Sequence, residues 1–327
     1  MRDEKGAILL TSLWILTILT VLAVGFAYRM SVELKLTGFQ IAKLKAFYLA
    51  KAGVVRAVAT LECDKATDFQ ALNQSWSNNP ENFDRIPLGE GTFTVGYSPA
   101  GSDSGRIFYG AADEERKINI NYATREMLES LPGISPDIAA SIVDWRDKDD
   151  VPDPEGAEDS YYQSLPNPYH SKNANFESIE ELLWVKGITP SVLARVHGWI
   201  TAYGDGRINI NTCQKEILLA LGLDEHLSDK IIGFRRGRDD RDGTEDDNVF
   251  PNAETIVETL RQSLSLTDDE MAQLRTLLAR NLLCVKSHCF RIDSIGYLKD
   301  ERVVEKVSAV VRVEKDQFPR IVYWHEG

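Results

Sequence analysis

The first 61 residues combine two hydrophobic patterns that fit one long helix. Residues 7–27 contain no charged side chain and are rich in Leu and Ile. As an α-helix this run spans about 30 Å, the thickness of the hydrocarbon core of a bilayer. After Arg29, apolar residues recur in steps of three and four, which predicts that the helix continues as an amphipathic helix to about Leu61. The apolar positions are Met30, Leu34, Ile41, Leu44, Phe47, Ala50, Val54, Val58 and Leu61.

Strand-like alternation of apolar and polar residues lies on both sides of a long helix-patterned block. Residues 64–87 are polar and predict a loop, and residues 112–286 carry the helical patterns. The predicted strands are residues 91–97 and 106–109, which would form a hairpin, and residues 289–297, 302–314 and 319–325. The predicted fold class is therefore α+β, with a long N-terminal helix and a small antiparallel sheet that is interrupted by a large all-helical insertion.

The helix-patterned block contains a duplication. Residues 117–131 align with residues 207–221, and both copies begin with a basic residue followed by Ile-Asn-Ile-Asn. The pattern places Asn121 and Asn211 as helix N-caps. Each copy continues into a second predicted helix, at residues 135–147 and 225–236, and a related piece covers residues 176–200. Such helix–turn–helix units resemble helix-hairpin-helix (SAM-like) modules, and a repeat of this length indicates one unit used twice.

The charge is divided unevenly along the chain. Residues 1–63 carry eight basic and four acidic side chains, whereas the remainder carries 29 basic and 46 acidic residues, a net charge of −17. Helix-hairpin-helix modules often hold DNA phosphates with hairpin amides and nearby Lys or Arg. Here acids surround the first two hairpins, and only the hairpin at Lys186 and Gly187 has a suitable cation. We therefore expect packing modules that bind no nucleic acid.

The start of the apolar run carries a resemblance to a known family. Lys5 and Gly6 precede the run, as at the site that prepilin peptidases cut, so that a mature chain would begin at Ala7 with a methylated N-terminus. Most pilin-like proteins have Glu five residues after the cut, where this chain has Thr11. With the helical block between strands and the acidic stretch from Trp145 to Asp159, the chain resembles the general secretion pathway protein K family of type II secretion minor pseudopilins.

The resemblance implies a domain organisation, a role and a location. The implied parts are a leader (1–6), a transmembrane and amphipathic pilin helix (7–63), the first part of a pilin-like core (64–111), the helical insertion (112–286) and C-terminal strands that complete the core (287–327). The implied role is a non-enzymatic subunit that caps the tip of the periplasmic pseudopilus and supports protein export. Its implied partners are prepilin peptidase and the minor pseudopilins of the I, J and H types, through the N-terminal helix. The helix would cross the cell inner membrane once, with the body in the periplasm.

Two acidic loops are candidate calcium sites. Dense carboxylates repel one another unless a cation neutralises them, and an all-oxygen ligand set on a flexible loop suits Ca²⁺. Neither loop has the spacing of an EF-hand, so a solvated acidic loop remains the alternative. The first loop also resembles a stretch of protein K, whose helical domain is associated with calcium. The candidate ligands are Asp147, Asp149, Glu158 and Asp159 in the first loop and Asp239, Asp242, Asp246 and Asp247 in the second.

Two rival functions remain open in the sequence. They are a membrane-anchored helix-hairpin-helix DNA receptor and a minor pilin of a type IV pilus. No nucleophile motif, phosphate loop or His-rich metal signature is present in the sequence, so we do not expect an enzyme.

The pairing of the cysteines is also open. Cys284 and Cys289 flank the start of the C-terminal strands and either form a disulfide in an oxidising compartment or remain buried thiols. Cys63 and Cys213 have no predictable mate.

Overall fold

A single helix of 63 residues, α1 (Arg2–Asp64), forms the N-terminal part of the molecule. The computed structural model describes residues 2–101, 105–298 and 302–327, with side chains from residue 7 onward within α1. The buried side chains of α1 begin only at Ala42. They are Ala42, Ala46, Leu49, Ala50, Val54, Ala57 and Leu61. The predicted apolar stripe is therefore wrong in its first half, where Leu34, Ile41 and Leu44 are exposed, because the helix packs on the sheet through its small residues.

An antiparallel sheet packs against the second half of α1. The strands are β1 (Ile86–Leu88), β2 (Gly91–Val95), β3 (Ala112–Asp113), β8 (Cys289–Leu298), β9 (Val303–Arg312) and β10 (Arg320–Glu326), and a short helix α2 (Pro80–Phe83) precedes β1. The strand order is β1-β2-β8-β9-β10, and β3 pairs with the other end of β8. The predicted fold class is confirmed in this respect: a long N-terminal helix with a small antiparallel sheet.

Two details of the sheet differ from the prediction. Strand β1 begins at Ile86, inside the loop predicted for residues 64–87, and pairs with β2 through the register Ile86 to Phe93. The expected hairpin between residues 91–97 and 106–109 is reduced to one bridge between Tyr97 and Phe108. Strand β2 pairs instead with β8, which is almost 200 residues away, and a local pattern cannot indicate that choice.

The region between β3 and β8 is built from short helices. These are α3 (Arg125–Glu129), α4 (Pro136–Arg146), α5 (Asp159–Gln163), α6 (Pro190–Val196), α7 (Lys215–Ala220), α8 (Glu225–Arg235), α9 (Ile256–Ser263) and α10 (Asp268–Ala279), with 3₁₀ turns at Glu114–Arg116, Ile179–Trp184 and Ala253–Thr255. The expectation of an all-helical insertion is wrong, because two parallel pairs of two-residue strands tie the ends of each repeat together. The pairs are β4 (Ile118–Asn119) with β5 (Ile200–Thr201), and β6 (Ile208–Asn209) with β7 (Leu283–Cys284).

The two copies of the repeat form equivalent hydrogen bonds. The Asn121 side chain accepts from the Phe176 amide at 2.7 Å and donates to the carbonyl oxygens of Phe176 and Ala202. In the second copy, Asn211 makes the same exchange with the backbone of Phe250. The predicted N-cap roles of Asn121 and Asn211 are therefore wrong, because both amides are used to hold a distant loop.

The N-caps of the corresponding helices lie three residues further along. The Thr124 hydroxyl accepts from the Met127 amide and caps α3, whereas Gln214 stands at the N-cap of α7 without a side-chain cap bond. The repeats also share an arginine at the end of their second helix. Arg146 donates to the carbonyl oxygens of Ile120 and Ala123, and Arg235 donates to those of Ile210 and Cys213.

Two separate hydrophobic cores are joined by a buried charged segment. One core lies between α1 and the sheet, and the other lies within residues 118–285. Residues 113–117 (Asp-Glu-Glu-Arg-Lys) connect them. Burial and the charge of Glu115 raise the pKa of Asp113, which accepts hydrogen bonds from Thr212 and Ser287 at 2.6 Å. Burial alone would raise the pKa of Glu114, but Lys117 and Arg291 hold it at about 2.

The four cysteines are free thiols. Cys213, Cys284 and Cys289 are buried, and Cys63 is exposed. Of the two alternatives for Cys284 and Cys289, the structure has the buried thiols, and burial raises the pKa of both.

Candidate metal centre and membrane helix

The N-terminal half of α1 is long and apolar enough to cross a membrane. Its most apolar 18-residue window has a mean hydropathy of 2.5, and none of that window is buried against the rest of the protein. The hydroxyls of Thr11, Thr17 and Thr20 donate to carbonyl oxygens one turn earlier, at 2.8 to 3.0 Å. Polar groups satisfied in this way are tolerated inside a bilayer. The helix therefore fits a single-pass membrane anchor, while processing between Gly6 and Ala7 stays a prediction.

Three carboxylates lie close together where α4 ends and the first acidic loop folds back towards it. Asp144 lies in α4, Asp147 follows its last residue, and Glu158 precedes α5. One carboxylate oxygen from each lies within 4.8 Å of the other two. Asp144 and Glu158 are each only 1% exposed. Of the predicted ligands, the structure brings together Asp147 and Glu158. The prediction did not include Asp144, although Asp144 and Asp147 are three residues apart at the end of a predicted helix.

Four carboxylate oxygens of this first cluster lack partners. Asp144 Oδ2, Asp147 Oδ1 and both carboxylate oxygens of Glu158 are buried without a hydrogen bond. Burial, together with the charges of Asp144 and Asp147, raises the pKa of Glu158 to about 7. Buried polar atoms are almost always hydrogen-bonded, and an unpaired buried carboxylate is costly. Three carboxylates aimed at one point fit a hard cation such as Ca²⁺, which takes oxygen ligands only.

The loop backbone leaves room for the cluster at Gly156. A Cβ added to Gly156 would lie 2.8 Å from the carboxylate carbon of Asp144, too close for any real side chain. The Asp153 amide, three residues earlier, donates to Asp144 Oδ1 at 3.2 Å. The loop thus wraps around the Asp144 carboxylate and leaves its second oxygen directed into the cluster.

The other two candidates in the first loop have different roles. Asp149 is exposed and accepts from the Val151 amide at 2.9 Å, which closes a turn. Asp159 accepts from the Ser171 amide at 3.0 Å and lies 3.0 Å from His170 Nδ1. The structure does not bring Asp149 and Asp159 into the cluster, and local backbone donors use both carboxylates.

The second acidic loop brings together Asp239, Asp246 and Asp247. Its oxygens have partners, since Asp246 accepts from the Arg238 amide at 2.7 Å and Asp247 accepts from the Gly243 amide at 2.7 Å. Asp242, also predicted as a ligand, lies outside this group. Asp242 pairs with Arg235 at 2.8 Å and Arg236 at 3.1 Å, and although burial would raise its pKa, these arginines lower it.

The one hairpin cation that suited DNA is used within the protein. Lys186 Nζ donates to the carbonyl oxygens of Glu155 and Gly156 at 3.0 Å and lies 5.2 Å from the ring centre of Tyr161. Lys186 thus holds the first acidic loop in place beside the cluster. The geometry gives the nucleic-acid reading no support.

Comparison with known proteins shows similarity to one family. The family model for "Type II secretion system (T2SS), protein K" matches residues 111–205. Type II secretion system protein K of Aeromonas hydrophila is 27% identical over 257 residues, which cover 68% of this chain and 72% of that protein. Its counterpart in Pseudomonas aeruginosa is 24% identical over 254 residues, covering 72% and 73%.

A solved structure has the same fold. The crystal structure of the GspK-GspI-GspJ complex from enterotoxigenic Escherichia coli contains a chain that matches with a TM-score of 0.63 at 18% identity, covering 89% of this chain and 99% of that one. In sequence and in fold, the chain is similar to the type II secretion system protein K family.

Proposed function

We propose that this chain is a non-enzymatic minor pseudopilin that caps the tip of the type II secretion pseudopilus and thereby supports protein export. The observation that carries the proposal is the position of the large helical region at the end of α1 farthest from the apolar segment. Residues that follow α1 contact this region directly: the Gln70 amide donates to the Val285 carbonyl at 2.8 Å, and Lys286 donates to the Thr67 carbonyl at 2.7 Å.

Capping follows from this placement by steric exclusion. Pilin-like subunits add to a filament by packing their long helices side by side with an axial offset. The helical region, which contains the second core and spans residues 118–285, lies at the far end of α1 and would occupy the space that the next subunit's helix needs. The filament would therefore end at this subunit.

Membrane insertion and processing complete the proposal. The apolar half of α1 would cross the inner membrane once, with Arg2 and Lys5 on the cytoplasmic side and the acidic body in the periplasm. Prepilin peptidase would cut between Gly6 and Ala7, and the new N-terminus would be methylated. Thr11, whose hydroxyl donates to Ile8, would take the place where other pilins carry Glu. A tip subunit has no subunit ahead of it, so a carboxylate at bilayer depth would have no partner there.

The proposed partners are the minor pseudopilins of the I, J and H types. The structurally similar GspK chain was solved with GspI and GspJ. On this chain, α1 keeps large apolar side chains exposed beside its sheet-packed face, among them Phe39, Tyr48 and Val55. Partner helices that pack on these positions would bury them.

We also propose that the first cluster, Asp144, Asp147 and Glu158, holds a structural Ca²⁺. Support comes from the four buried, unpartnered carboxylate oxygens. The ion would neutralise the cluster and fix the first acidic loop to α4, without a role in any reaction. The second cluster, Asp239, Asp246 and Asp247, stays a prediction, because loop donors already bind its oxygens.

Replacing the helical region tests the capping role. Asp113 pairs with Phe290 across the sheet, so the two ends of the region are adjacent and a short Gly-Ser linker can replace residues 117–286. We expect this variant to insert in the membrane but to lose secretion in a strain that lacks its own protein K, because nothing blocks further subunit addition. Secretion assays and membrane fractionation provide the measurement.

A second variant distinguishes the effect of the size of the helical region from the effect of its specific contacts. It carries an unrelated monomeric domain of similar size at the same linker. Steric capping predicts that this variant stops filament growth even if export is not restored. Normal secretion by the linker variant itself would contradict the proposal.

A further inference from the structure

Arg116 is a buried guanidinium without a counterion. It lies in the charged segment 113–117 and is only 4% exposed. Its neighbours in this segment are paired: Glu114 lies 2.7 Å from Lys117 and 3.1 Å from Arg291, and Glu115 accepts from the His288 amide. Within the described parts of the chain, no carboxylate lies within ion-pair distance of Arg116, and its Nε has no hydrogen-bond partner. Buried arginines are normally paired or fully hydrogen-bonded.

Two other arginines of this protein show the contrast. The half-buried Arg146 donates to two carbonyl oxygens, and the buried Arg235 donates to two carbonyl oxygens and pairs with Asp242, although the Nε of Arg235 also has no partner. Arg116 instead has a ring beside it, since its guanidinium carbon lies 5.4 Å from the centre of Tyr97. Arg116 is therefore not explained as a structural arginine of the kind found in the repeats.

Arg116 lines a cavity of about 410 Å³ between the core and the second repeat. The cavity wall is basic although the body of the protein is strongly acidic. Its basic residues are Arg106, Arg116, Lys215, Arg235 and Arg236, and its acidic residues are Glu216, Asp229 and Asp242. Ion pairs cancel part of this set, because Asp242 pairs with Arg235 and Arg236, and Asp229 pairs with Lys215.

Among the described residues, two arginines of the cavity wall have no carboxylate partner: Arg116 and Arg106. Arg106 donates to the Asp242 carbonyl oxygen at 2.9 Å and lies over the Phe108 ring at 4.7 Å. A guanidinium presents a rigid fork of donors that matches the oxygens of a carboxylate or a phosphate. The two arginines come from the core side of the cavity and face the paired arginines of α8 and its C-terminal end.

We propose that this cavity is a binding site for an oxyanion, a carboxylate or phosphate group, held by Arg116 and Arg106. The bound group would supply the missing counterion of Arg116. Because Arg106 and Arg116 belong to the segments next to the sheet, whereas Arg235 and Arg236 belong to the second repeat, the anion would also tie the helical region to the core. The site does not depend on the capping role.

Anion-dependent thermal unfolding of the full chain in detergent tests the site. The protein is first freed of divalent metal on a chelating resin, and inorganic phosphate or acetate then replaces chloride at constant ionic strength. We expect at least one of the two anions to raise the melting temperature, with a dissociation constant measured in parallel by calorimetry. Binding of phosphate alone or of acetate alone identifies which oxyanion the site takes.

Variants assign the effect to the cavity. R116Q and R106Q should each weaken anion binding by about tenfold or more, as expected for the loss of one charge-assisted hydrogen-bonding group. R275Q, at an exposed position of α10 outside the cavity, should bind like the wild type. If R116Q does not fold, the R106Q variant, at a half-buried position, still tests the proposal. The absence of binding of both anions, or equal binding by R106Q and wild type, would overturn the proposal.

Discussion

Gly296→Val is expected to release α1 from the sheet. Gly296 lies in β8 directly beneath the helix, and a Cβ at this position would be 2.6 Å from the Ala50 amide nitrogen and closer still to the Ala46 carbonyl oxygen. These are backbone atoms of a continuous helix, so neither can move without lifting α1 from β8. Overpacking of a core costs about 1–3 kcal/mol, and a backbone clash should place this variant at or above the upper value.

Urea unfolding of the full chain in detergent, followed by near-ultraviolet circular dichroism, measures the loss. Limited trypsin digestion provides a second readout, because Lys45 and Lys51 of α1 become better substrates when the helix is undocked. Gly233→Ala is the matched control, since Gly233 is exposed inside α8 and an added Cβ meets nothing within 4 Å. The control should gain up to about 1 kcal/mol. A G296V variant as stable as wild type would show that α1 does not pack on the sheet as described.

Removal of Ca²⁺ is expected to lower the stability of the helical region substantially. An ion at one hundred times its dissociation constant adds about 2.7 kcal/mol to the free energy of unfolding. For a unit of this size that corresponds to a fall in melting temperature of roughly 5–10 °C in chelator. Calorimetric scans of the full chain, with Ca²⁺ and after treatment with EGTA, measure the difference.

The Glu158→Gln variant should differ from the wild type in opposite directions without and with Ca²⁺. Without metal, the variant should melt at or above the wild type, because removing one of three buried carboxylates relieves repulsion with Asp144 and Asp147. With Ca²⁺, it should melt below the wild type, because a ligand is lost. Asp149→Asn, at an exposed position outside the cluster, should respond to Ca²⁺ as the wild type does. A wild type indifferent to Ca²⁺, or an E158Q variant with an undiminished response, would contradict the metal proposal.

The features of the fold that extend over many residues could be predicted from the sequence. The apolar run, the strand alternation after Cys289 and the repeated Ile-Asn-Ile-Asn motif each extend over enough residues to give a clear period. Strand β1 and the two-residue parallel pairs could not be predicted, because such short segments have no period and form only through distant partners. The roles of Asn121 and Asn211 were wrong for the same reason, since their partners lie 39 to 81 residues away.

Composition could identify the acidic loops but not the individual carboxylates that cluster. Acidic composition identified both loops, but it could not separate carboxylates bound by local donors, such as Asp149, Asp159 and Asp242, from those left free. Asp144 was missed because it lies inside a helix, although its spacing to Asp147 provided a usable signal. Arg116 had no sequence signal, because its lack of a counterion depends on how the core meets the second repeat.

The position of this subunit in an assembled filament tests the central claim most directly. An epitope tag in the exposed turn at residues 315–318, between β9 and β10, leaves the helical region and α1 intact. Immunogold labelling of filaments assembled with the tagged chain should place gold at one end only, and the same tag on the major subunit should label the whole length. Gold distributed along the filament would contradict a capping subunit.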